Sequence, residues 1–345
     1  MNLRLPSMTV AIAASVFLTS CSQQSATVAA PAPATAAANA PIRIGLVAKS
    51  LGNGFFDAVK KGGDEAAAEL GGVEIIFTAP TTATAEGQIE VLNALIAQRV
   101  DAIAVSANDP DALVPTLQRA MQRGIKVISF DSGVAAAGRN AHLAPSSDEL
   151  IGATCVQLAA DAMPDGKGQF AILSATATAT NQNAWIAAMK LALPAHAGVE
   201  LVDTVYGDDV SDKSYREAVA LLKRHPQLKV IVVPSSVGIV AAAKAIEDEG
   251  KIGKVHVTGL GLPSEMAGHV SSGAVKSFAI WNPIDLGYAT IQIAARIARG
   301  APAGANTRVS IGRLGNVQFG ADGSGPMGKP FTYDKSNVAQ FANIF

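Results

Sequence analysis

Six short segments of this chain place polar and aromatic residues directly after apolar runs. They are Lys49-Ser50-Leu51-Gly52-Asn53-Gly54-Phe55-Phe56, Asp131-Ser132-Gly133, Thr180-Asn181-Gln182-Asn183-Ala184-Trp185, Pro234-Ser235-Ser236, Gly259-Leu260-Gly261 and Trp281-Asn282-Pro283. An ammonium, a carboxylate, carboxamides, hydroxyls and flat rings form a set that grips a sugar. Sugar hydroxyls take paired hydrogen bonds from such groups, and aromatic faces cover the C–H side of a pyranose ring. Each residue also has a plainer reading. Lys49 fits a solvated strand end, Asp131 a turn cap and Trp185 a core ring. Of the adjacent Phe55 and Phe56, one is expected to pack inward and the other to face the cleft.

The same residues exclude other chemistries. Gly52-Asn53-Gly54 fails as a dinucleotide fingerprint because its last glycine position is Asp57. No glycine-rich phosphate loop ending in Lys-Ser/Thr and no G-x-S-x-G elbow occur. Cys21 and Cys155 cannot build a disulfide framework or a four-thiolate zinc site. The histidines, His142, His196, His225, His256 and His269, never fall at metal-ligand spacing. Asp131 has no second carboxylate at a strand end to form a glycosidase pair. The expectation is binding without catalysis, with no metal and no cofactor. Charge agrees: 27 Lys+Arg against 28 Asp+Glu gives a net −1, which lacks the basic excess of a nucleic-acid binder. With 49% hydrophobic residues the 345-residue chain can bury a large core and is not a disordered segment.

Alternating strands and helices position these segments. Continuous apolar runs predict strands over 42–48, 73–78, 101–106 and 125–130. Helical periodicity fills 55–70, 84–98 and 109–123 between them, and Gly124 stands where a helix end belongs. A second series places helices over 146–163, 182–193, 211–224, 237–249, 264–270 and 285–299. Its strands cover 169–173, 199–206, 229–233, 255–258 and 275–280. The fold class is α/β with doubly wound parallel sheets in two similar lobes. In such sheets ligands sit beyond the carboxyl ends of the strands, where the six segments fall.

The apolar run from Met8 to Leu18 is too short to span a bilayer and has the length of a secretory h-region. It ends in Leu18-Thr19-Ser20-Cys21, which resembles a bacterial lipobox, and an uncharged Ala/Pro/Ser/Thr-rich stretch follows to Ala40. Residues 1–20 are therefore expected to be a lipoprotein signal peptide, Cys21 the lipidated residue, and 21–40 a disordered tether. Cys155, in an apolar-periodic stretch, is expected to pack as a small buried hydrophobe.

This signal, the Asn53-x-Phe55-Phe56 element, Phe130-Asp131-Ser132 and Gly259-Leu260-Gly261-Leu262-Pro263 together resemble a known family. It is that of the type I periplasmic substrate-binding proteins of ABC sugar importers, the ribose-binding-protein superfamily. Thr180-Asn181-Gln182-Asn183, Tyr206-Gly207-Asp208-Asp209 and Phe278-Ala279-Ile280-Trp281-Asn282-Pro283-Ile284-Asp285 look most like its rhamnose-binding branch, a sister of the autoinducer-2 receptors. The resemblance covers roughly 41–345. It implies two lobes joined by a three-strand hinge, one of residues 41–143 plus about 284–304, the other of 144–283 plus about 305–345. It places the ligand between Lys49, Phe55, Phe56 and Asp131 on one side and Asn181, Gln182, Pro234 and Ser236 on the other, with Trp281 near the hinge. Asn53 and Trp185 join them from the strand-end reading. It also implies a monomer in the periplasm or on the outer face of the cytoplasmic membrane, serving the permease and ATPase subunits of an importer.

Asn181-Gln182 replaces the Asp-Gln pair of the autoinducer-2 receptors, and Ser236 replaces their small apolar residue. An amide accepts on one side and donates on the other, which favours a deoxyhexose such as rhamnose over autoinducer-2. The C6 methyl would want an apolar wall from Phe, Leu262 or Val237. A ligand-responsive repressor with the same core would need a helix-turn-helix in place of the export signal.

Overall fold

The computed structural model describes residues 40–345, so the expected signal peptide, tether and Cys21 lie outside the described residues. The first βα series runs β1 (Ile42–Val47), α1 (Gly54–Leu70), β2 (Val73–Thr78), α2 (Ala85–Ala97), β3 (Ala102–Val105), α3 (Val114–Gln122), β4 (Lys126–Phe130) and β5 (Ala141–Ala144). The second runs α4 (Asp148–Ala162), β6 (Gly168–Ser174), α5 (Thr180–Ala192), β7 (Val199–Tyr206), α6 (Ser211–Arg224), β8 (Leu228–Val233), α7 (Ser236–Asp248), β9 (His256–Gly259), α8 (Pro263–Ser272) and β10 (Ser277–Ile280). Then follow α9 (Pro283–Ala298), β11 (Arg308–Ser310), β12 (Asn316–Gln318), β13 (Ser324–Pro326), β14 (Phe331–Asp334) and α10 (Val338–Phe341).

The two sheets repeat one plan. The first has the order β2-β1-β3-β4-β5-β13, parallel throughout. The second has β7-β6-β8-β9, extended by parallel bridges Val257↔Val275 and Leu260↔Ala279 to β10, which pairs antiparallel with β14. In each lobe the strand order reverses beside the first strand, which creates a crevice at the carboxyl edge of the sheet. Strand β3 is buried at every residue, as a strand covered by helices on both faces must be. Helix α9 is apolar on nearly its whole circumference and is buried accordingly. It lies against α1 with backbones touching: a Cβ on Gly62 would fall 1.7 Å from the Ile284 carbonyl oxygen, and one on Gly287 1.8 Å from that of Val59.

Three features depart from the pattern reading. Strand β5 was not expected, because Ala-His-Leu-Ala carries little β signal. Helix α3 begins at Val114 rather than near 109. The Asp109 carboxylate accepts from the N–H groups of Asp111 and Ala112 and holds a turn there instead. The tail 305–345, expected with the second lobe, is divided between the lobes. β13 pairs with β5 in the first sheet, whereas β14 pairs with β10 and α10 packs on α8 in the second. Ser324-Gly325-Pro326 is too short and too rich in Gly and Pro to register as a strand by periodicity. The chain therefore crosses between lobes after β5, after β10 and after β13. Cys155 is fully buried, and burial pushes its thiol up to about 12.

Candidate functional site

The carboxyl ends of both sheets meet at one cleft. Its lining contains Lys49, Asn53, Phe55, Phe56 and Asp131 from the first lobe, and Asn181, Gln182, Trp185, Pro234 and Ser236 from the second, with Trp281 at the second crossing. All eleven ligand positions expected from sequence are thus brought together. Asp209, Ser235, Leu260 and Ile280 complete the lining. The cleft holds about 400 Å³ free of protein atoms, part of it open to solvent.

Each first-lobe group is fixed by the turn that follows its strand. Past β1 the chain brings Lys49, buried, to the cleft, and its carbonyl accepts from Asn108 Nδ2 at 3.0 Å. Asn53 caps α1, accepting from the Phe55 N–H at 3.0 Å, and this sets both phenylalanines at the helix start. Under these strand ends lies Gln88, fully buried on α2. Its Nε2 donates to the carbonyls of Ala48 and Ser106 at 3.0 and 2.7 Å, and its Oε1 accepts from the Asn108 N–H at 2.8 Å. Asp131 follows β4 at φ 56°, a left-handed conformation that Asp tolerates better than most residues.

Across the cleft, Asn181 connects the charges. Lys49 Nζ donates to Asn181 Oδ1 at 3.1 Å, and Asn181 Nδ2 donates to Asp131 Oδ1 at 3.1 Å. Ser106 Oγ donates to the other Asp131 oxygen at 2.8 Å. Burial pushes the Asp131 carboxyl above its ordinary pKa, against Lys49 and the two hydrogen bonds that pull it down, with Asp209 adding to the rise. Gln182 Oε1 is taken by Ser174 Oγ and the Ala175 N–H, both at 2.7 Å, which leaves its NH₂ to offer. Ser236 Oγ reaches Asn53 Oδ1 at 3.4 Å, and Thr178 Oγ1 reaches the Asn108 carbonyl at 3.1 Å, so two further bonds bridge the lobes. Ser235 donates to Asp209 Oδ1 at 2.6 Å and accepts from the Gly238 N–H, capping α7.

The aromatic rings form a chain of edge-to-face contacts. Phe130 meets Phe56, Phe56 meets Phe55 at 5.2 Å, Phe55 meets Trp281 at 6.1 Å, and Trp281 meets Trp185 at 5.6 Å. Phe55 and Phe56 both line the cleft, so neither is purely core. Trp281 Nε1 is buried without a hydrogen-bond partner among the described residues. The apolar wall expected from Leu262 or Val237 is supplied by Leu260 and Ile280. Leu262 instead stands at the lip, its Cδ1 3.3 Å from where a Cβ on Gly54 would be. Asp209 lines the cleft without having been expected there, although it follows β7, where the strand-end rule applies equally. Among the described residues no cluster of His, Cys, Asp and Glu could hold a metal ion.

Residues 44–302 match the family model described as periplasmic binding protein domain. The chain belongs to that family. An ABC transporter solute-binding protein from Clostridium phytofermentas with bound L-rhamnose has a TM-score of 0.85 and 35% identity, over 88% of this chain and 99% of that one. The D-ribose/D-allose-binding protein of Pseudomonas aeruginosa is 30% identical over 224 residues, 63% of this chain and 70% of the relative. LsrB from Clostridium saccharobutylicum in complex with AI-2, at 21% identity and a TM-score of 0.82 over 87% of this chain and 99% of that one, shares the fold. This periplasmic binding protein is thus one of the sugar-binding solute receptors of ABC transporters, which capture substrates for transport rather than convert them. No helix among the described residues is long and apolar enough to cross a membrane.

Proposed function

We propose that this receptor closes its lobes on a monosaccharide unit, a deoxyhexose such as L-rhamnose, and delivers it to an ABC permease. The convergence of Lys49, Asp131, Asn181 and Gln182 with four aromatic rings in one interlobe cleft carries the reading. Asp131 accepts hydroxyl protons, Lys49 and the Gln182 NH₂ donate, and Asn181 does both. Leu260 and Ile280 with the rings give a C6 methyl its apolar wall. The rhamnose-bound relative at 35% identity supports the same sugar.

The ligand set is Lys49, Asn53, Phe55, Phe56, Asp131, Asn181, Gln182, Trp185, Pro234, Ser236 and Trp281, to which Asp209 is added. The first lobe comprises about 41–143 and 284–326, the second about 144–283 and 327–345. The receptor works as a monomer outside the cytoplasmic membrane, anchored through a lipid on Cys21. A Cys21→Ser variant that partitions like wild type on cell fractionation would remove the anchor. A second reading, a ribose- or allose-type sugar, is favoured by the relative from Pseudomonas aeruginosa. The test is a thermal-shift panel of L-rhamnose, D-ribose, D-allose, other pentoses and hexoses, and autoinducer-2, followed by calorimetry. A ligand that binds only the folded state raises its melting temperature. L-Rhamnose is expected to give the largest shift, and a panel without any shift refutes the sugar reading.

A further inference from the structure

A pocket with about 1140 Å³ of free space, partly open to solvent, lies at the amino edge of the first sheet, the opposite end of the strands from the sugar cleft. Its lining includes the buried apolar residues Ile96, Val100 and Ile125. The rest is mostly basic: Arg99 and Asp101 come from the turn before β3, and Arg123 and Lys126 from the passage into β4. Arg99, Arg123 and Lys126 form no ion pair among the described residues. Asp101, the carboxylate of the lining, accepts from the Arg43 N–H at 2.7 Å. Three cations against one anion leave two positive charges in excess, in a chain whose net charge is −1.

Helix ends account for only part of this. α2 and α3 both finish at this edge, and a cation after the last turn offsets the negative end of a helix. Lys126 belongs to β4 and caps neither helix. After α3 the left-handed position is filled by Gly124 at φ 87°, as a helix end prefers. After α2 the matching position is Arg99 at φ 54°, a conformation that costs any residue with a Cβ. An arginine kept where glycine is easier, its charge unpaired beside a pocket, points to an anion held there.

We propose that the pocket seats the phosphodiester headgroup of an acidic phospholipid, so that this edge of the first lobe rests on the membrane surface. Each basic residue near an anionic bilayer strengthens the contact by about fivefold. Position agrees with charge. Ala40 stands just before β1, and Arg43 of β1 donates to Asp101 and to the Gln98 carbonyl, so the chain enters the fold at this edge. Cys21 lies 19 residues before Ala40, at most about 65 Å of extended chain. A lipid on Cys21 would hold even a weak site at high effective concentration near its ligand. The choice of a lipid over a soluble phosphate draws on that anchor reading; the choice of an anion does not. The sugar cleft, at the far ends of the strands, stays uncovered.

Residues 40–345 form a compact unit of their own, so a chain beginning at Ser22, without signal or lipid, serves for the test. It is sedimented with vesicles of phosphatidylglycerol in phosphatidylcholine and with vesicles of phosphatidylcholine alone. In about 0.02 M salt the acidic vesicles should hold it about tenfold better or more, and about 0.5 M salt should abolish the difference. Arg99→Gly should weaken binding about fivefold without lowering the melting temperature, because it relieves the strained backbone. Arg99→Gln, Arg123→Gln and Lys126→Gln together should bring binding down to the neutral-vesicle level and leave rhamnose affinity within about twofold. Arg216→Gln, Lys223→Gln and Lys254→Gln, at exposed positions of the second lobe, remove the same charge and should leave vesicle binding within about twofold. Equal binding to neutral vesicles, or an equal loss in that second-lobe variant, overturns the inference. So does binding of glycerol 1-phosphate or inorganic phosphate at the three basic residues without vesicle binding, which would assign the pocket to a soluble phosphate. If Cys21→Ser reveals no anchor and acidic vesicles still bind, the anchor reading falls and the headgroup site stands. An anchor without vesicle binding has the reverse meaning.

Discussion

Replacing Asp131 by Asn and by Ala separates what this residue gives the ligand from what it costs the fold. Its carboxylate faces the cleft, held by Ser106 and Asn181. Either substitution removes a charged acceptor for sugar hydroxyls, a loss of about 1.5–3 kcal/mol. That corresponds to roughly 10- to 150-fold weaker binding. The two variants differ in the backbone. At φ 56° Asn is tolerated, whereas Ala strains by roughly 1–2 kcal/mol. The Ala variant should therefore be less stable than the Asn variant by about that amount in sugar-free urea unfolding. The pH dependence has a fixed sign. A carboxyl whose pKa rises on folding stabilises the fold below its ordinary range, and that contribution is lost as pH climbs through the raised value. Wild type should show this decline, and Asp131→Asn should lack it. Unchanged rhamnose affinity in Asp131→Asn would refute the assignment to the site, and equal stability of the two variants would refute the strain.

Trp281→Phe removes a buried N–H that no described residue accepts from, so rhamnose should bind about fivefold more weakly by calorimetry. One deoxy analogue lacking the matching acceptor should bind both proteins alike; if none does, the indole N–H is not a ligand donor. Gly54→Leu drives a side chain into Glu265, whose Oε1 lies 2.9 Å from a Cβ placed there, and into Leu262 of the other lobe. Overpacking of about 1–3 kcal/mol should weaken sugar binding by roughly 5- to 150-fold and enlarge the radius of gyration in small-angle scattering, whereas an unchanged profile would show that the lip does not limit closure. Glu265 is raised first by burial and then by Asp57, so closure is easier with its carboxyl protonated. Affinity should fall as pH rises through that value and Glu265→Gln should reduce the fall, so parallel profiles for the two proteins would remove the effect.

The candidate site is legible because continuous apolar strands such as β3 and β8 announce their ends, and the next few residues must then face the crevice. One strand end still escapes this rule: β7 is expected over 199–206 and found there, but the Gly207-Asp208-Asp209 turn after it bends through two aspartates at φ 57° and 53°, and that irregular turn hides Asp209. Gln88 looks in sequence like a polar-face residue of α2. Only the fold reveals that it ties together the ends of β1 and β3 and the loop carrying Asn108. β5 and β13, of four and three residues, are too short to carry a period, so the division of the tail between lobes was invisible. The wall residues Leu260 and Ile280 were displaced by Leu262 in the reading for a related reason. Leu260 still bridges to Ala279 in the sheet, whereas Leu262 already caps α8, and the turn from strand into helix between them sends the two side chains apart.

Asn181 explains why an amide suits this position where the sister receptors carry a carboxylate. It is the second-lobe residue that bonds both charged groups of the first, accepting from Lys49 and donating to Asp131. A carboxylate can do only the former, and beside Asp131 it would add a second buried negative charge, with Asp209 a third nearby. The amide lets the lobes approach with the Lys49 and Asp131 charges linked through one neutral group. The protein's own bridges, through Asn181, Ser236 and Thr178, are worth about 0.5–1.5 kcal/mol each and are opposed by the Glu265–Asp57 repulsion at the lip. Turning a 1:99 closed population into 99:1 takes about 5.5 kcal/mol of preference for the closed form. A ring that hydrogen-bonds Lys49 and Asp131 on one side and Asn181 and Gln182 on the other gains those bonds only when the lobes meet, which is the differential affinity that closure requires.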